Sequence, residues 1–214
     1  MYILDKLPIL KDLHIRITSK CNFNCPHCYA ADWFNDGFSL NIDQLKSTIT
    51  QSIALGCKKV TFTGGEPLVS NCITDAIKFC LHNNLRVEVE TNGSLINNLI
   101  NSLHDKITKV EFGISYDGEN MRGTNSATIV RKNIEKLVNL GCNVKLQTVL
   151  TRLNFEEIND ILNFSKSLGI KNRIFLAHSP NGNGKNIELL NVNEWLGIVK
   201  LLREKYPNAI VELP

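Results

Sequence analysis

Short runs in which apolar positions either alternate with polar ones or follow one another recur six times: LHIRIT from Leu13, KKVTFT from Lys58, LRVEVE from Leu85, KVEFGI from Lys109, NVKLQTV from Asn143 and RIFLA from Arg173. Rich in Val, Ile, Phe and Thr, these runs read as strands. Between them the apolar spacing widens to three and four residues, as on one face of a helix. IDQLKSTITQSIAL ends at Gly56, ITDAIKFCLHNN follows Cys72, IVRKNIEKLVNL stops at Gly141 and FEEINDILNFSKSL stops at Gly169. Glycine just past the last periodic residue is a common helix stop. Asn154, ahead of Phe155, Glu156 and Glu157, reads as a helix cap with acidic residues where the dipole favours them.

Strand and helix thus alternate about six times, and each crossover is long enough to bring the chain back parallel to the preceding strand. The expected fold is α/β: a parallel sheet, open or curled into a partial (βα)6 barrel of the TIM type. The segment VNEWLGIVKLLREKY followed by AIVEL adds a helix and a strand over residues 191–214. No linker or low-complexity tract divides the chain, so residues 1–214 are expected to form one domain, with a barrel over about 13–190. A full eight-unit barrel takes roughly 250 residues, and this chain is shorter.

With 214 residues at 43% hydrophobic content, the chain can bury one sizeable core. A formal charge of +3 gives no polybasic surface for nucleic acid. No stretch approaches the roughly 18 apolar residues of a spanning helix. Asp5, Lys6 and Pro8 interrupt the N-terminus before a signal-peptide core forms, so a cytoplasmic protein without a membrane partner is expected. The seven cysteines are uneven: three crowd at Cys21, Cys25 and Cys28, while Cys57, Cys72, Cys80 and Cys142 stand alone. In a chain without an export signal, crowding favours a metal or redox site over disulfides.

In parallel βα proteins the loops leaving the carboxyl ends of the strands build the site. The distinctive residues fall there: SKCNFNCPHCYA, GGEPLVS, TNGS, SYDGENMRG, TRLN and HSPNGNGKN follow the six strands in turn. Cys-x3-Cys-x2-Cys can aim three thiolates at one centre, which suits zinc or iron–sulfur. For zinc, His27 is the nearby fourth ligand, awkwardly placed inside the x2 gap. Cys25 and Cys28 alone also form a C-x-x-C dithiol of the kind used in disulfide exchange. Gly64 and Gly65 expose backbone to a ligand and Glu66 offers an acceptor for an ammonium, or the run is a tight turn with Pro67 starting a helix. Ser115 and Asp117 form either an Asx-type turn closed by Gly118 or part of a site. Arg122 is a surface arginine or a guanidinium held for a carboxylate.

Taken together, these motifs resemble the radical S-adenosylmethionine superfamily, from about Leu13 to the loop around Asn186. Cys21, Cys25 and Cys28 followed by Tyr29 match its cluster signature, and Gly64-Gly65-Glu66-Pro67 match its second signature at the expected strand. The resemblance implies one 4Fe-4S cluster held by the three thiolates, with the free iron chelated by S-adenosylmethionine. It implies that Gly64, Gly65 and Glu66 receive the methionine amino group and that the backbone near Tyr29 meets the adenine. Pro67, Thr91, Asn92 and Asp117 belong to the same cofactor-binding loops; Ser115 and Arg122 correspond to ribose and carboxylate contacts, and Gln147 and Val149 lie where the fifth strand meets the nucleoside. Reductive cleavage of the sulfonium would give a 5′-deoxyadenosyl radical that abstracts hydrogen from substrate, after reduction by a donor such as a flavodoxin or ferredoxin.

SYDG, Arg122-Gly123, LVNLGCNVKLQTV and SPNGNGKN look like the branch with a C-terminal SPASM or twitch extension, many members of which modify peptides. Peptide or protein modification is therefore the first expectation, with small-molecule or cofactor biosynthesis as the alternative. That extension normally brings further cysteines, and none follows Cys142, so the expectation is either a fragment cut before the extension or a compact member with one cluster; nothing ahead of Leu13 reads as a leader-binding domain. A dithiol oxidoreductase and a non-catalytic scaffold are the competing classes. The isolated cysteines read as small hydrophobes, Trp33 and Phe34 as packing residues, and His178 as a satisfied loop histidine.

Overall fold

The computed structural model describes residues 10–176, 181–206 and 209–212. Seven strands form one sheet in sequence order, every pair parallel: β1 Asp12–Thr18, β2 Lys59–Gly64, β3 Arg86–Thr91, β4 Val110–Ser115, β5 Asn143–Leu150, β6 Lys171–Leu176 and β7 Ala209–Glu212. Helices α1 Ile42–Ala54, α2 Ile73–His82, α3 Ile96–Leu103, α4 Glu119–Arg122, α5 Thr124–Asn139, α6 Ile158–Ser167 and α7 Val192–Lys205 lie between them. The expected α/β fold is present, as an open parallel sheet consistent with a partial TIM barrel. The six core strands are present, and the further strand expected from AIVEL is β7, at the edge beside β6.

The period-two pattern sorts the sheet into two faces. Ile15, Ile17, Val60, Phe62, Val87, Val89, Phe112, Ile114, Val144 and Leu146 are buried in one core with Leu45 and Ile49 of α1, Ile77 of α2, Leu99 of α3, Ile134 of α5 and Phe164 of α6. The opposite face carries polar residues, and there Glu88 stands between Lys59 and Lys145, 2.5 Å from each. A second apolar cluster, Leu150, Ile158, Leu162, Ile174, Ile198, Leu202 and Tyr206, seats α7 against the last strands.

Two local readings change. Helix α3, INNLINSL, is absent from the periodic stretches above because asparagine and serine are weak helix formers; burial of Ile96, Leu99 and Leu103 on one side holds it in place. Asn154 occupies the N-cap position of a 3₁₀ turn, Phe155–Glu157, without capping it through its side chain. Its amide instead donates to the carbonyls of Asp117 and Val149, both at 2.9 Å. Among the described residues no helix is long and apolar enough to cross a membrane.

Candidate active site

β1 shifts register against β2 between Arg16 and Thr18, Thr18 still pairs with Gly64, and the cysteine loop leaves the strand just beyond. Cys21, Cys25 and Cys28 are half-buried free thiols. The loop is tied to four other strand-end loops. Asn22 donates to Ser94 Oγ at 2.9 Å and accepts from Asn92 Nδ2 at 2.9 Å. Toward β4, His27 Nε2 lies 3.3 Å from Asp117 Oδ2, and toward β6, Asn183 bonds Asn24 and Cys25.

The fourth tie is to the turn after β2. Gly65 N–H donates to the Thr18 carbonyl at 2.8 Å and Glu66 N–H to the Lys20 carbonyl at 2.9 Å. A Cβ at Gly65 would run into the backbone of Lys20 and Ser19, and one at Gly64 into Thr18. These glycines therefore permit the close approach of two backbones. Pro67 is buried at the start of a 3₁₀ turn, Pro67–Val69. Glu66 is fully buried, and its carboxylate accepts from Leu68 N–H, Thr91 Oγ1 and Asn92 N–H at 3.0, 2.7 and 2.7 Å. Burial pushes its carboxyl above the ordinary value, against the pull of those three donors.

Asp117 and Arg122 are a buried pair: Arg122 Nη2 and Nε lie 2.6 and 2.7 Å from Asp117 Oδ2. Asp117 Oδ1 accepts from the Val149 N–H at 2.7 Å, so Val149 engages the site through its backbone. Burial opposes ionisation of Asp117, but the charges of Arg122 and His27 and hydrogen bonds from His27 and Val149 outweigh it and hold the carboxyl far below its usual range. Arg122 also lies over the Phe23 ring, 5.9 Å from its centroid. Ser115 closes β4, half-buried and in register with Gln147. The Gln147 side chain leans over Gly113 and donates to Glu90 Oε1 at 3.3 Å, so its bonded partner lies on the polar sheet face.

Two expectations about aromatic residues separate. Tyr29 is 58% exposed and Trp33 50% exposed, with rings edge to face at 5.9 Å. Trp33 packs at the surface rather than in the core, with the Arg16 guanidinium over its ring at 5.3 Å. The Phe34 side chain and His178 lie outside the described residues. Cys57, Cys80 and Cys142 are buried and Cys72 half-buried, as small hydrophobes are. Sequence reasoning missed Asn22 and Asn183, whose partners are remote along the chain.

The thiols sit in one electrostatic environment. Burial raises all three, Cys25 to about 11; Cys25 is raised further by both other cysteines, Glu66 adds to Cys21, and Arg122 lowers each of the three. The charge of one cation, Arg122, thus acts on all three thiols, and that of Glu66 on Cys21. Among the described residues, no three His, Cys, Asp or Glu side chains stand close enough to share one metal ion. Three free thiols on one loop, with the Arg122 charge acting on each, suit an iron–sulfur group.

A family model described as the Radical SAM superfamily matches residues 15–165. The chain belongs to that superfamily. The family implies a 4Fe-4S cluster and S-adenosylmethionine. GTP 3′,8-cyclase of Clostridium perfringens strain 13 is 30% identical over 202 residues, covering 88% of this chain and 61% of the relative. The probable GTP 3′,8-cyclase of Sulfolobus acidocaldarius is 31% identical over 184 residues, covering 82% of this chain and 58% of the relative. The chain spans about three fifths of the length of these curated relatives. Streptococcus suis SuiB bound to S-adenosylmethionine superposes with a TM-score of 0.76 at 16% identity, over 94% of this chain and 49% of SuiB. Histidine-tagged anSMEcpe with bound AdoMet gives 0.76 at 19% identity, over 95% of this chain and 61% of anSMEcpe. These superpositions speak to the fold.

Proposed function

We propose that the chain forms the core of a radical S-adenosylmethionine enzyme, with Cys21, Cys25 and Cys28 holding the cluster. When bound, the cluster and S-adenosylmethionine supply one-electron cleavage of a sulfonium and hydrogen abstraction from a substrate. The observation that carries the reading is the fastening of the cysteine loop to the Gly64–Pro67 turn by paired backbone bonds. Gly64 and Gly65 bring that turn against the cysteine loop, Glu66 offers its remaining lone pair to an ammonium, and Arg122 places positive charge beside the thiolates. Thr91 and Asn92 hold Glu66; Ser115 and the backbone near Tyr29 would meet the nucleoside, with Gln147 and Val149 beside it on β5.

The dithiol reading is disfavoured by electrostatics. A disulfide-exchange site lowers the pKa of its attacking thiol, whereas burial raises all three here. Metal-free thiols in this setting are poor nucleophiles, and a bound cluster removes the difficulty by taking them as thiolates.

For the substrate, the relatives near 30% identity, named as GTP 3′,8-cyclases, support a polar small molecule and cofactor biosynthesis over peptide modification. The peptide-bound neighbour SuiB is 18% identical. Anaerobic reconstitution followed by reductant and S-adenosylmethionine should give 5′-deoxyadenosine, and Cys25→Ala should abolish it. Turnover that survives this change contradicts the assignment. With GTP added, formation of a new nucleotide supports the small-molecule reading; a modified peptide and unchanged GTP reverses it.

A further inference from the structure

Asn183 lies on a 3₁₀ turn, Gly182–Asn186, that follows β6. Its backbone N–H donates to the Cys28 carbonyl at 2.9 Å. Its side-chain amide donates to the Cys25 carbonyl at 3.0 Å and to Asn24 Oδ1 at 2.8 Å. One residue, more than 150 positions away in sequence, thus grips both ends of the Cys25–Cys28 turn.

The turn itself is weakly closed, since the Cys28 N–H reaches the Cys25 carbonyl at 3.2 Å and the Ala31 N–H reaches the Cys28 carbonyl at 3.4 Å. The Asn183 bonds to the same two carbonyls are shorter. Neighbouring contacts hold Asn183 in place. Gly182 lies so close to Cys28 and Tyr29 that a Cβ there would strike their backbone. Its N–H donates to Asp32 Oδ2 at 3.1 Å, and Lys185 Nζ lies 2.8 Å from the same oxygen. Fixing a residue's backbone costs about 1–2 kcal/mol of entropy, so a turn ordered before its ligand arrives binds that ligand more tightly. Groups that orient metal ligands from outside the coordination sphere act in this way.

We propose that Asn183 is a positioning residue for the cysteine loop, setting the separation of the Cys25 and Cys28 thiols at which an iron–sulfur cluster is held. The inference rests on the cluster reading given above. Nothing in the Cys-x3-Cys-x2-Cys spacing identifies it, because the clamp comes from the last strand-end loop of the site.

The test compares the whole wild-type chain with Asn183→Ala after anaerobic reconstitution. It reads iron and sulfide content, iron release to a chelator, the spin-resonance signal of the reduced cluster and its midpoint potential. Expected for Asn183→Ala are iron release faster by about tenfold or more, an altered signal and a shifted potential, while the metal-free chain melts as wild type does. Asn183→Asp keeps the shape and the backbone N–H but lacks the amide donors; it should behave like Asn183→Ala and carries the test if that variant fails to fold. Release, signal and potential all matching wild type overturn the inference and leave the cluster reading standing. A wild-type chain that takes up no iron, or a Cys25→Ser chain that holds it as firmly, overturns the cluster reading and this inference with it.

Discussion

Glu66 Oε2 accepts the backbone N–H of Asn92 at 2.7 Å, and through this bond the turn after β2 fixes the loop after β3. Asn92 passes the constraint on, since its side chain donates to Asn22 on the cysteine loop. With Leu68 and Thr91 donating to Oε1, three of about four acceptor sites of a carboxylate are filled from within the protein. Glu66 is thus first an organiser of three loops, and in the proposed function its remaining acceptor site is the one that would take an ammonium.

Glu66→Gln should therefore destabilise the metal-free chain. Whichever way the amide is turned, its NH2 faces a buried backbone N–H, of Asn92 or of Leu68, and one donor loses its acceptor. The cost is about 1–3 kcal/mol, read as a lower urea midpoint. An unchanged midpoint would show that neither backbone bond contributes.

Gly65→Ala tests the close approach of the two signature loops. The added methyl meets backbone atoms of Lys20 and Ser19, with the Ser19 oxygen at 2.7 Å, and backbone cannot swing aside as a side chain can. We expect a loss of about 1–3 kcal/mol together with reduced iron uptake, because Lys20 adjoins Cys21. Full iron content in this variant would separate the glycine turn from the cysteine loop.

What the sequence made legible follows from how local each signal is. The strands of the core and the glycine stops at Gly56, Gly141 and Gly169 are set by neighbours a few residues away, and the folded chain places them as expected. The Gly64–Pro67 run was readable because it sits at the end of β2. Asp117 was legible as a turn residue; its pairing with both His27 and Arg122 was not, since His27 comes from another loop and only the assembled sheet brings it near. The same holds for Asn183. Trp33 packs as expected, but at the surface, between Tyr29 and Arg16, a location that bulk alone does not foretell.

Asp117→Asn should be the costlier change at the site. Arg122 has 4% of its side chain exposed, so removing the carboxylate charge strands a buried cation, at about 3–5 kcal/mol. The double variant Asp117→Asn with Arg122→Met removes both charges and should recover part of that loss in urea denaturation. A double variant as unstable as the single one would assign the effect to the Val149 and His27 contacts of the carboxylate instead.

Glu88 makes the complementary case, an ion cluster on the polar sheet face whose cations reach water. Burial raises its carboxyl, but hydrogen bonds and charge from Lys145 and Lys59 outweigh that and leave it below the ordinary 4.5. A carboxylate lowered in the folded state stabilises fully above its unfolded value, and the contribution drains away as pH falls through the folded one. Wild type should thus lose stability below about pH 4.5, and Glu88→Gln should flatten that part of the profile. At neutral pH the substitution should cost less than Asp117→Asn, because Lys59 and Lys145 keep 19% and 25% of their side chains exposed and can turn to solvent where Arg122 cannot. Denaturation midpoints of the two variants from pH 3 to 7, ranges chosen to bracket roughly the unfolded carboxylate values, decide the point. An equal acid slope in Glu88→Gln and wild type would remove Glu88 from the acid response, and a larger loss than in Asp117→Asn would show that exposure of the lysines gives no relief.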